Sequence, residues 1–181
     1  MTTDQPWKVL DYRADAIYVS KARYFSEGWS GVWRMDPSTG SVNQLLAAEV
    51  ATTLTLGGNA GWGPAALGST AVKRFDLLTG AETLWFSRPD PVVGFVGMDA
   101  AGGAIVGWHD MAKGTDELWL LTSPGQGRLL YSGREQFGFN PILDANGVWL
   151  QGLHSLWLLR ANGSLVQVAS TQLQPLGGCH P

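Results

Sequence analysis

The stretch "KARYFSEGWSG", residues 21–31, places three aromatic side chains between charged ones. Flat aromatic rings can stack on a sugar ring, a peptide side chain or the surface of a partner protein. The candidate binding residues here are Arg23, Tyr24, Phe25, Glu27 and Trp29. The alternative that the aromatic rings cover part of the protein itself stays open, because apolar loop residues are often simply packed.

A second candidate is "HDMAKGTDE", residues 109–117, which combines an imidazole with carboxylates. His109, Asp110 and Asp116 have the side chains that hold a metal ion or exchange a proton with a bound molecule. No second His lies near them in the sequence, so we take them as binding residues and assign no metal ligand and no catalytic group. We expect His109→Ala to leave stability nearly unchanged and to abolish no reaction.

The composition excludes several kinds of partner. Only 15% of the residues are charged, the net charge is -3, and the basic residues are scattered, which does not favour binding to nucleic acid. No window approaches about 18 uncharged apolar residues, so we expect no membrane span. The single Cys179 permits no internal disulfide, and the N-terminus lacks the pattern of a signal peptide. The compartment stays open, since low charge and 24 Gly with 9 Trp are also typical of exported β-proteins.

An internal repeat indicates how the candidate residues are positioned. "VWRMDPSTG" (32–40) and "VKRFDLLTG" (72–80) share Val, Arg, Asp, Thr and Gly in the same order. One series of equivalent residues runs through Trp33, Lys73, Trp119 and Trp157, and an upstream series runs through Tyr18, Trp62, Val106 and Trp149. Two independent series that each have four members predict four repeated units.

Each unit is predicted to contain four short antiparallel strands. The apolar runs are rich in Val, Ile, Leu, Trp and Tyr and are bounded by Gly, Pro, Asn or Asp, and no run has a sustained helical stripe. In the turns Asp36 to Gly40 and Asp76 to Gly80, the carboxylate caps the turn and the glycine supplies a positive φ. The predicted units are 7–46, 52–87, 92–133 and 139–170.

The hairpin "RFDLLTGAETLWFSR" (74–88) resembles the pyrroloquinoline-quinone-type propeller repeat, in which an Asp-x-x-Thr-Gly turn precedes an apolar strand containing Trp. "LWLLTSPG" and "VWRMDPSTG" are similar to blades of bacterial propellers, and the resemblance covers residues 7–170. It implies an all-β, β-propeller-like domain of four four-stranded antiparallel blades, whose ring is complete or incomplete. The Trp positions differ from blade to blade, so we expect no quinone and no other cofactor.

Two functions from different classes follow from this reading. The connections after the second and fourth strands differ in every unit and contain both candidate sites, and variable loops on a rigid scaffold are where binding usually occurs. The first hypothesis is a non-catalytic binding or scaffold module for a protein or glycan partner. The alternative, which resemblance to propeller lactonases permits, is a hydrolase with a divalent metal in the channel. Its candidate ligands are Asp11, Asn59, Asp99 and Asn140.

Two further expectations concern packing. Tyr18, Trp62, Val106 and Trp149, one from each second strand, should be buried between facing blades. The segment "TQLQPLGG" (171–178) resembles the first strand of another blade. It therefore closes the ring, belongs to a larger propeller, or leaves open blade edges through which the chain associates with itself.

Overall fold

The computed structural model describes residues 7–22, 29–46, 55–57, 60–64, 70–89, 92–138, 141–171 and 173. Within these ranges the chain forms sixteen strands and no helix, as predicted, and hence no helix that could cross a membrane. The strands are β1 (Trp7–Tyr12), β2 (Ile17–Ala22), β3 (Trp29–Met35), β4 (Val42–Leu46), β5 (Thr55–Gly57), β6 (Ala60–Pro64), β7 (Ala71–Asp76), β8 (Glu82–Ser87), β9 (Val92–Met98), β10 (Ala104–Asp110), β11 (Thr115–Ser123), β12 (Gln126–Gly133), β13 (Ile142–Asp144), β14 (Gly147–Gln151), β15 (Leu156–Arg160) and β16 (Leu165–Ala169).

The strands form four separate sheets of four antiparallel strands, each in chain order. We call β1–β4 blade 1, β5–β8 blade 2, β9–β12 blade 3 and β13–β16 blade 4. β1, β5 and β9 lie side by side, so the first strand of a blade is the innermost one. The four-blade prediction is confirmed, with an open rather than a closed arrangement of sheets.

The hairpin turns follow the chemistry that the repeat predicts. Asp36 accepts hydrogen bonds from the amides of Ser38 and Thr39 at 2.7 and 3.2 Å, and Gly40 has a φ of 69°. Asp76 and Gly80 repeat this arrangement in blade 2, where φ is 73°. Because a side chain at a positive φ clashes with its own backbone, glycine closes both turns.

Adjacent blades pack through their sheet faces, and a cluster of buried side chains lies at each of three junctions. Tyr18 and Val32 of blade 1 meet Phe75 of blade 2 at the 1–2 junction. Trp62 of blade 2 packs with Val106 of blade 3 at the 2–3 junction. At the 3–4 junction the buried residues are Val96, Ile105, Leu118 and Leu120 of blade 3 with Val148, Leu150 and Leu159 of blade 4. We call the sheet face toward the following blade the forward face and the opposite one the backward face.

Three of the four predicted core residues are buried. Tyr18, Trp62 and Val106 are 2%, 1% and 0% exposed, whereas Trp149 is only half-buried, so the prediction is wrong for Trp149. Trp149 lies on the forward face of blade 4, where the described residues include no further blade. Tyr18 and Trp62 lie on the forward faces of their blades, but Val106 lies on the backward face of blade 3. The forward-facing residue at this position of blade 3 is its neighbour Ile105.

The predicted extra strand lies almost wholly outside the described residues. Of residues 171–178 the structure describes Thr171 and Leu173. Neither belongs to a strand, and Leu173 is exposed.

Candidate functional site

The candidate residues that the structure describes, Trp29, His109, Asp110 and Asp116, lie at one end of the blades, which we call the variable face. It carries the end of β2 and the start of β3, the β10–β11 and β14–β15 connections, and the C-terminal ends of β8 and β12. Arg23, Tyr24, Phe25 and Glu27 lie outside the described residues. Trp29, predicted in a loop, is the first residue of β3 and pairs with Ala22. That prediction is wrong because the pairing of β2 and β3 continues to this point.

The second candidate group is divided between the two faces of one sheet. His109 and Asp116 are cross-strand partners in β10 and β11, and His109 Nδ1 lies 2.8 Å from Asp116 Oδ1. Asp110 is the last residue of β10, so its side chain points to the opposite sheet face. The predicted long loop is only a short turn, 111–114, because both strands extend further than the sequence indicated. The three residues therefore do not form one site.

Asp110 belongs to a small ion-paired turn on the backward side of blade 3. Its Oδ2 accepts a hydrogen bond from Lys113 Nζ at 2.8 Å, and its Oδ1 accepts bonds from the amides of Ala112 and Lys113. The Lys113 ammonium and amide lower the pKa of Asp110. Asp110 and, more weakly, Glu117 raise the pKa of Lys113, while Arg88 opposes that shift. Because Arg88 affects the pKa of Lys113, the turn lies close enough to interact electrostatically with a second ion pair, which contains Arg88.

That second pair joins blade 2 to blade 3. Arg88, which follows β8, donates through Nη1 to Oε2 of Glu117 in β11, and Trp119 Nε1 donates to the same oxygen at 2.8 Å. The Glu117 side chain is 7% exposed and that of Arg88 is 25% exposed. A nearly buried carboxylate requires such donors, since removing its hydration is costly.

Aromatic rings surround the Arg88 guanidinium. Its central carbon lies 5.3 Å from the ring centre of Trp108 and 5.2 Å from that of Trp119. Phe86 meets the Trp108 ring edge to face at 5.4 Å. Cation–π attraction is strongest where the cation is shielded from water, as it is here. We call Arg88, Glu117, Trp108 and Trp119 the Arg88–Glu117 cluster.

Two buried polar atoms beside this cluster make no hydrogen bond to any described residue. They are Trp108 Nε1 and Thr115 Oγ1. Trp108 pairs with Glu117 across the sheet, and the Asp110–Thr115 pair lies next to it on the same face, nearer the variable face. Both unbonded atoms therefore lie on the sheet face that blade 2 covers. Most buried polar atoms in proteins are bonded, and an unbonded one calls for an explanation.

Glu117 lies in the candidate segment 109–117, but its sequence context does not indicate that it pairs with Arg88. Arg88 and Glu117 are 29 residues apart and meet only because blades 2 and 3 are packed together. One signal was available in "TDELWLLTS", where the charged Glu117 directly precedes an apolar run of the same strand. An inward-facing charge of this kind indicates a buried partner on a neighbouring element.

The described residues among the metal ligands predicted for the hydrolase are already engaged in other contacts. Asp11 pairs with Arg13 at 3.0 Å, and Asp99 accepts the amides of Ala101 and Gly103 in its own turn. Asn59 and Asn140 lie outside the described residues. Within the described part of the chain, no three His, Cys, Asp or Glu side chains are grouped so as to hold a metal ion.

The opposite end of the blades has a different character. There the aspartates of the turns cap their own backbones, and a cleft of about 400 Å³ opens between blades 3 and 4. Leu120, Val148 and Leu159 contribute its apolar wall, with Asp99 and Arg160 at its edges. No unbonded buried polar atom in the described residues lines this cleft.

Comparison with known proteins identifies the fold. No protein-family model and no curated protein matches the sequence. An oligogalacturonate lyase in complex with manganese is similar in structure, with 18% identity, a TM-score of 0.58, and coverage of 86% of this chain and 50% of the lyase. TolB from Acinetobacter baumannii has 14% identity and a TM-score of 0.56, with coverage of 96% and 46%. Both are β-propellers, so the chain has a propeller-type fold and spans about half the length of these proteins.

Proposed function

We propose that this propeller-type chain is a non-catalytic binding module that holds a protein or glycan partner on its variable face, centred on the Arg88–Glu117 cluster and the β10–β11 turn. The observation that supports this proposal is the pair of unbonded buried atoms, Trp108 Nε1 and Thr115 Oγ1. A buried donor and a buried hydroxyl without partners destabilise the free protein. Because blade 2 covers both atoms, a bound molecule that offers oxygen atoms removes that cost only where it opens the outer end of the 2–3 junction.

The side chains around this position define what the partner presents. Met111 is 67% exposed at the tip of the turn and offers an adaptable apolar contact. The Lys113 side chain is 65% exposed and carries a cation. The partner therefore combines an apolar patch with hydroxyl or carbonyl oxygens, which suits either the surface of a sugar or a peptide segment.

The hydrolase alternative has weaker support. Asp11 and Asp99 are already engaged by an ion pair and by turn amides, as described above. A carboxylate that binds Ca²⁺ or a similar hard cation must offer free oxygens together with several other ligands. Metal analysis of the purified protein, followed by titration with Mn²⁺, separates the two functions: a stoichiometric tightly bound metal supports the hydrolase.

The binding proposal is tested first by screening. The purified protein is applied to a glycan microarray and to a displayed peptide library, and the best hit is titrated by calorimetry against a matched pair of variants. Met111→Ala removes an exposed side chain from the variable face, and Leu78→Ala removes one of nearly equal exposure, 65%, from the opposite end. We expect Met111→Ala to weaken binding about tenfold, or about 1.4 kcal/mol, and Leu78→Ala to leave it unchanged.

Thr115→Val gives a sharper version of the same test. Valine has the shape of threonine without the hydroxyl, and the hydroxyl bonds to no described residue. The variant should keep or raise the thermal midpoint and yet weaken binding of the hit. A variant that binds as well as the wild type, or an effect of Leu78→Ala larger than that of Met111→Ala, contradicts the proposed site.

A further inference from the structure

Two sheet faces of the molecule have no blade against them among the described residues. The first is the backward face of blade 1, where Trp7 is 43% and Val9 is 58% exposed. Lys21 Nζ lies 4.8 Å from the ring centre of Trp7 and 5.1 Å from that of Trp33 on this face. The face is thus an aromatic and aliphatic surface with one cation.

The second is the forward face of blade 4. Its half-buried apolar residues are Ile142, Trp149, Leu156 and Val166, around the more buried Leu158. Trp149 pairs with Leu158 here, just as Trp62 pairs with Arg74 in blade 2. The same strand position is 1% exposed in blade 2, where blade 3 covers it.

The chain itself shows what kind of surface covers each face. At every junction, a forward face packs against the backward face of the next blade. At the 2–3 junction, Trp62 meets a backward face in which Val106 pairs with Trp119. The backward face of blade 1 repeats that pair, since Val19 pairs with Trp33.

A cation lies over the equivalent tryptophan in both places, supplied by the preceding blade (Arg88 of blade 2) in one case and by blade 1 itself (Lys21) in the other. Arg88 lies 5.2 Å from the ring centre of Trp119 at the 2–3 junction, and Lys21 lies 5.1 Å from that of Trp33 on blade 1. The exposed face of blade 1 therefore has the residue types and register of a face that receives a tryptophan from a preceding blade. Trp149 of blade 4 occupies the position of that tryptophan.

We propose that two copies of this chain associate head to tail, with the forward face of blade 4 in each copy packed on the backward face of blade 1 in the other. Two such junctions close a ring of eight blades. Propellers have about 4–8 blades, so a ring of eight blades from two four-bladed chains lies within the known range. The match also covers 50% and 46% of two propeller proteins that the chain resembles, which leaves about half of each without a counterpart in one copy.

Each junction pairs two different faces, and a twofold axis relates the two junctions, so the dimer interface as a whole is isologous. No junction in the chain packs a forward face on a forward face, so the residue types of the two open faces match each other and not themselves. The same pairing of faces closes a ring of two chains when each chain accounts for half a turn, and it gives larger rings or filaments when it does not. The proposal is specific to the closed dimer.

The test uses the full chain and single variants on each open face. Val9→Asp adds a charge to the backward face of blade 1, Val166→Asp adds one to the forward face of blade 4, and Leu78→Asp is the control on an exposed turn. Sedimentation velocity of the wild type and of Leu78→Asp should give twice the chain mass of 19.4 kDa. Each of the other variants should be a folded monomer by circular dichroism and sedimentation.

Mixing the two variants distinguishes the geometry. An equimolar mixture of Val9→Asp and Val166→Asp retains one unaltered junction and should recover a two-chain species. A monomeric wild type, an open series of larger species, or loss of association with only one of the two variants overturns the proposal. If a variant fails to fold, Trp7→Ala or Ile142→Ala on the same face replaces it in the same comparison.

Discussion

The 2–3 and 3–4 junctions each contain a cluster of seven buried hydrophobic residues but differ at the variable face. At the 2–3 junction a buried carboxylate, Glu117, meets a guanidinium from the neighbouring blade. At the 3–4 junction a buried carboxylate, Glu135, accepts the backbone amide of His154 at 2.7 Å. Below it lie Tyr131 and Trp157, with ring centres 5.3 Å apart.

The two junctions differ in whether their buried polar side chains all have hydrogen-bond partners. No buried polar side-chain atom of the described residues at the 3–4 junction lacks a hydrogen-bond partner. The 2–3 junction concentrates charge, aromatic rings and two unbonded polar atoms in one place. Two junctions built on the same repeat therefore differ in their buried polar groups, and this difference motivates the binding site proposed at the 2–3 junction.

The largest expected effect comes from the apolar junction. Leu118 is 0% exposed and packs between blades 3 and 4. Leu118→Ala should lower the free energy of unfolding by about 3 kcal/mol, because it removes buried methyl groups and leaves a cavity. Chemical denaturation measures the change. Leu153→Ala, at a residue 48% exposed, is the control and should change the free energy little.

The next effect concerns the two buried carboxylates. Glu117→Ala should cost about 2–3 kcal/mol of unfolding free energy, because Arg88 and Trp119 both lose their acceptor. Glu135→Ala should cost about 1 kcal/mol, since it leaves one part-buried backbone amide without its acceptor. Equal costs would remove the contrast between the two junctions.

The ion pair itself can also be replaced as a unit. Arg88→Met combined with Glu117→Leu removes both charges and should recover most of the stability that Glu117→Ala loses. About 1 kcal/mol should remain missing because Trp119 Nε1 still lacks an acceptor. If the double variant is less stable than Glu117→Ala, the pair contributes more than the burial of apolar groups can replace.

A third, smaller effect extends the comparison to the 1–2 junction. A Cβ on Gly80 would lie 2.6 Å from the carbonyl oxygen of Leu45 in blade 1, whereas a Cβ on Gly40 meets nothing within 4 Å. Both glycines have a positive φ, so alanine costs about 1 kcal/mol at either position. Gly80→Ala should cost about 1 kcal/mol more because a backbone atom must move. Thermal melts of the two variants give the difference.

The smallest effect is expected at a turn far from any junction. The Ser38 hydroxyl, and then the amides of Ser38 and Thr39, lower the pKa of Asp36 from 3.8 to about 2. A lowered pKa stabilises the fold above the unfolded value of 3.8, and this contribution is lost as the pH falls toward about 2. Over that range the thermal midpoint of the wild type should fall slightly more than that of Asp36→Asn. Parallel curves would contradict the assignment.

The sequence predicts the fold well because each blade is specified locally. The Asp-to-Gly turns and the alternating apolar runs identify sixteen short strands without any knowledge of the packing. Which residues of β10 face blade 2 and which face blade 4 could not be predicted in the same way. Ala104, Ile105 and Val106 are all fully buried, since blade 3 is covered on both faces, so the alternation that reveals phase is absent.

The site was harder to predict because it depends on contacts between blades. Asp110 and Asp116 were identified as polar residues near the variable face, but their directions depend on where the strands end. The Arg88–Glu117 contact requires the 2–3 junction, and no local pattern places a residue of one blade beside a residue of the next. The sequence therefore places Glu117 in a candidate segment but does not indicate its contact with Arg88, and the binding role of this end of the molecule stays a prediction.

The arrangement of three junctions for four blades has a consequence for how the molecule opens. Blades 2 and 3 are held on both faces and blades 1 and 4 on one, and each blade contacts chiefly its sequence neighbours. Such a structure behaves as a short one-dimensional array whose end units separate before the middle ones. In a monomeric form such as the Val9→Asp variant, amide hydrogens of β6, β7, β10 and β11 should thus exchange last, and separation of blade 1 or blade 4 should be the first step of unfolding.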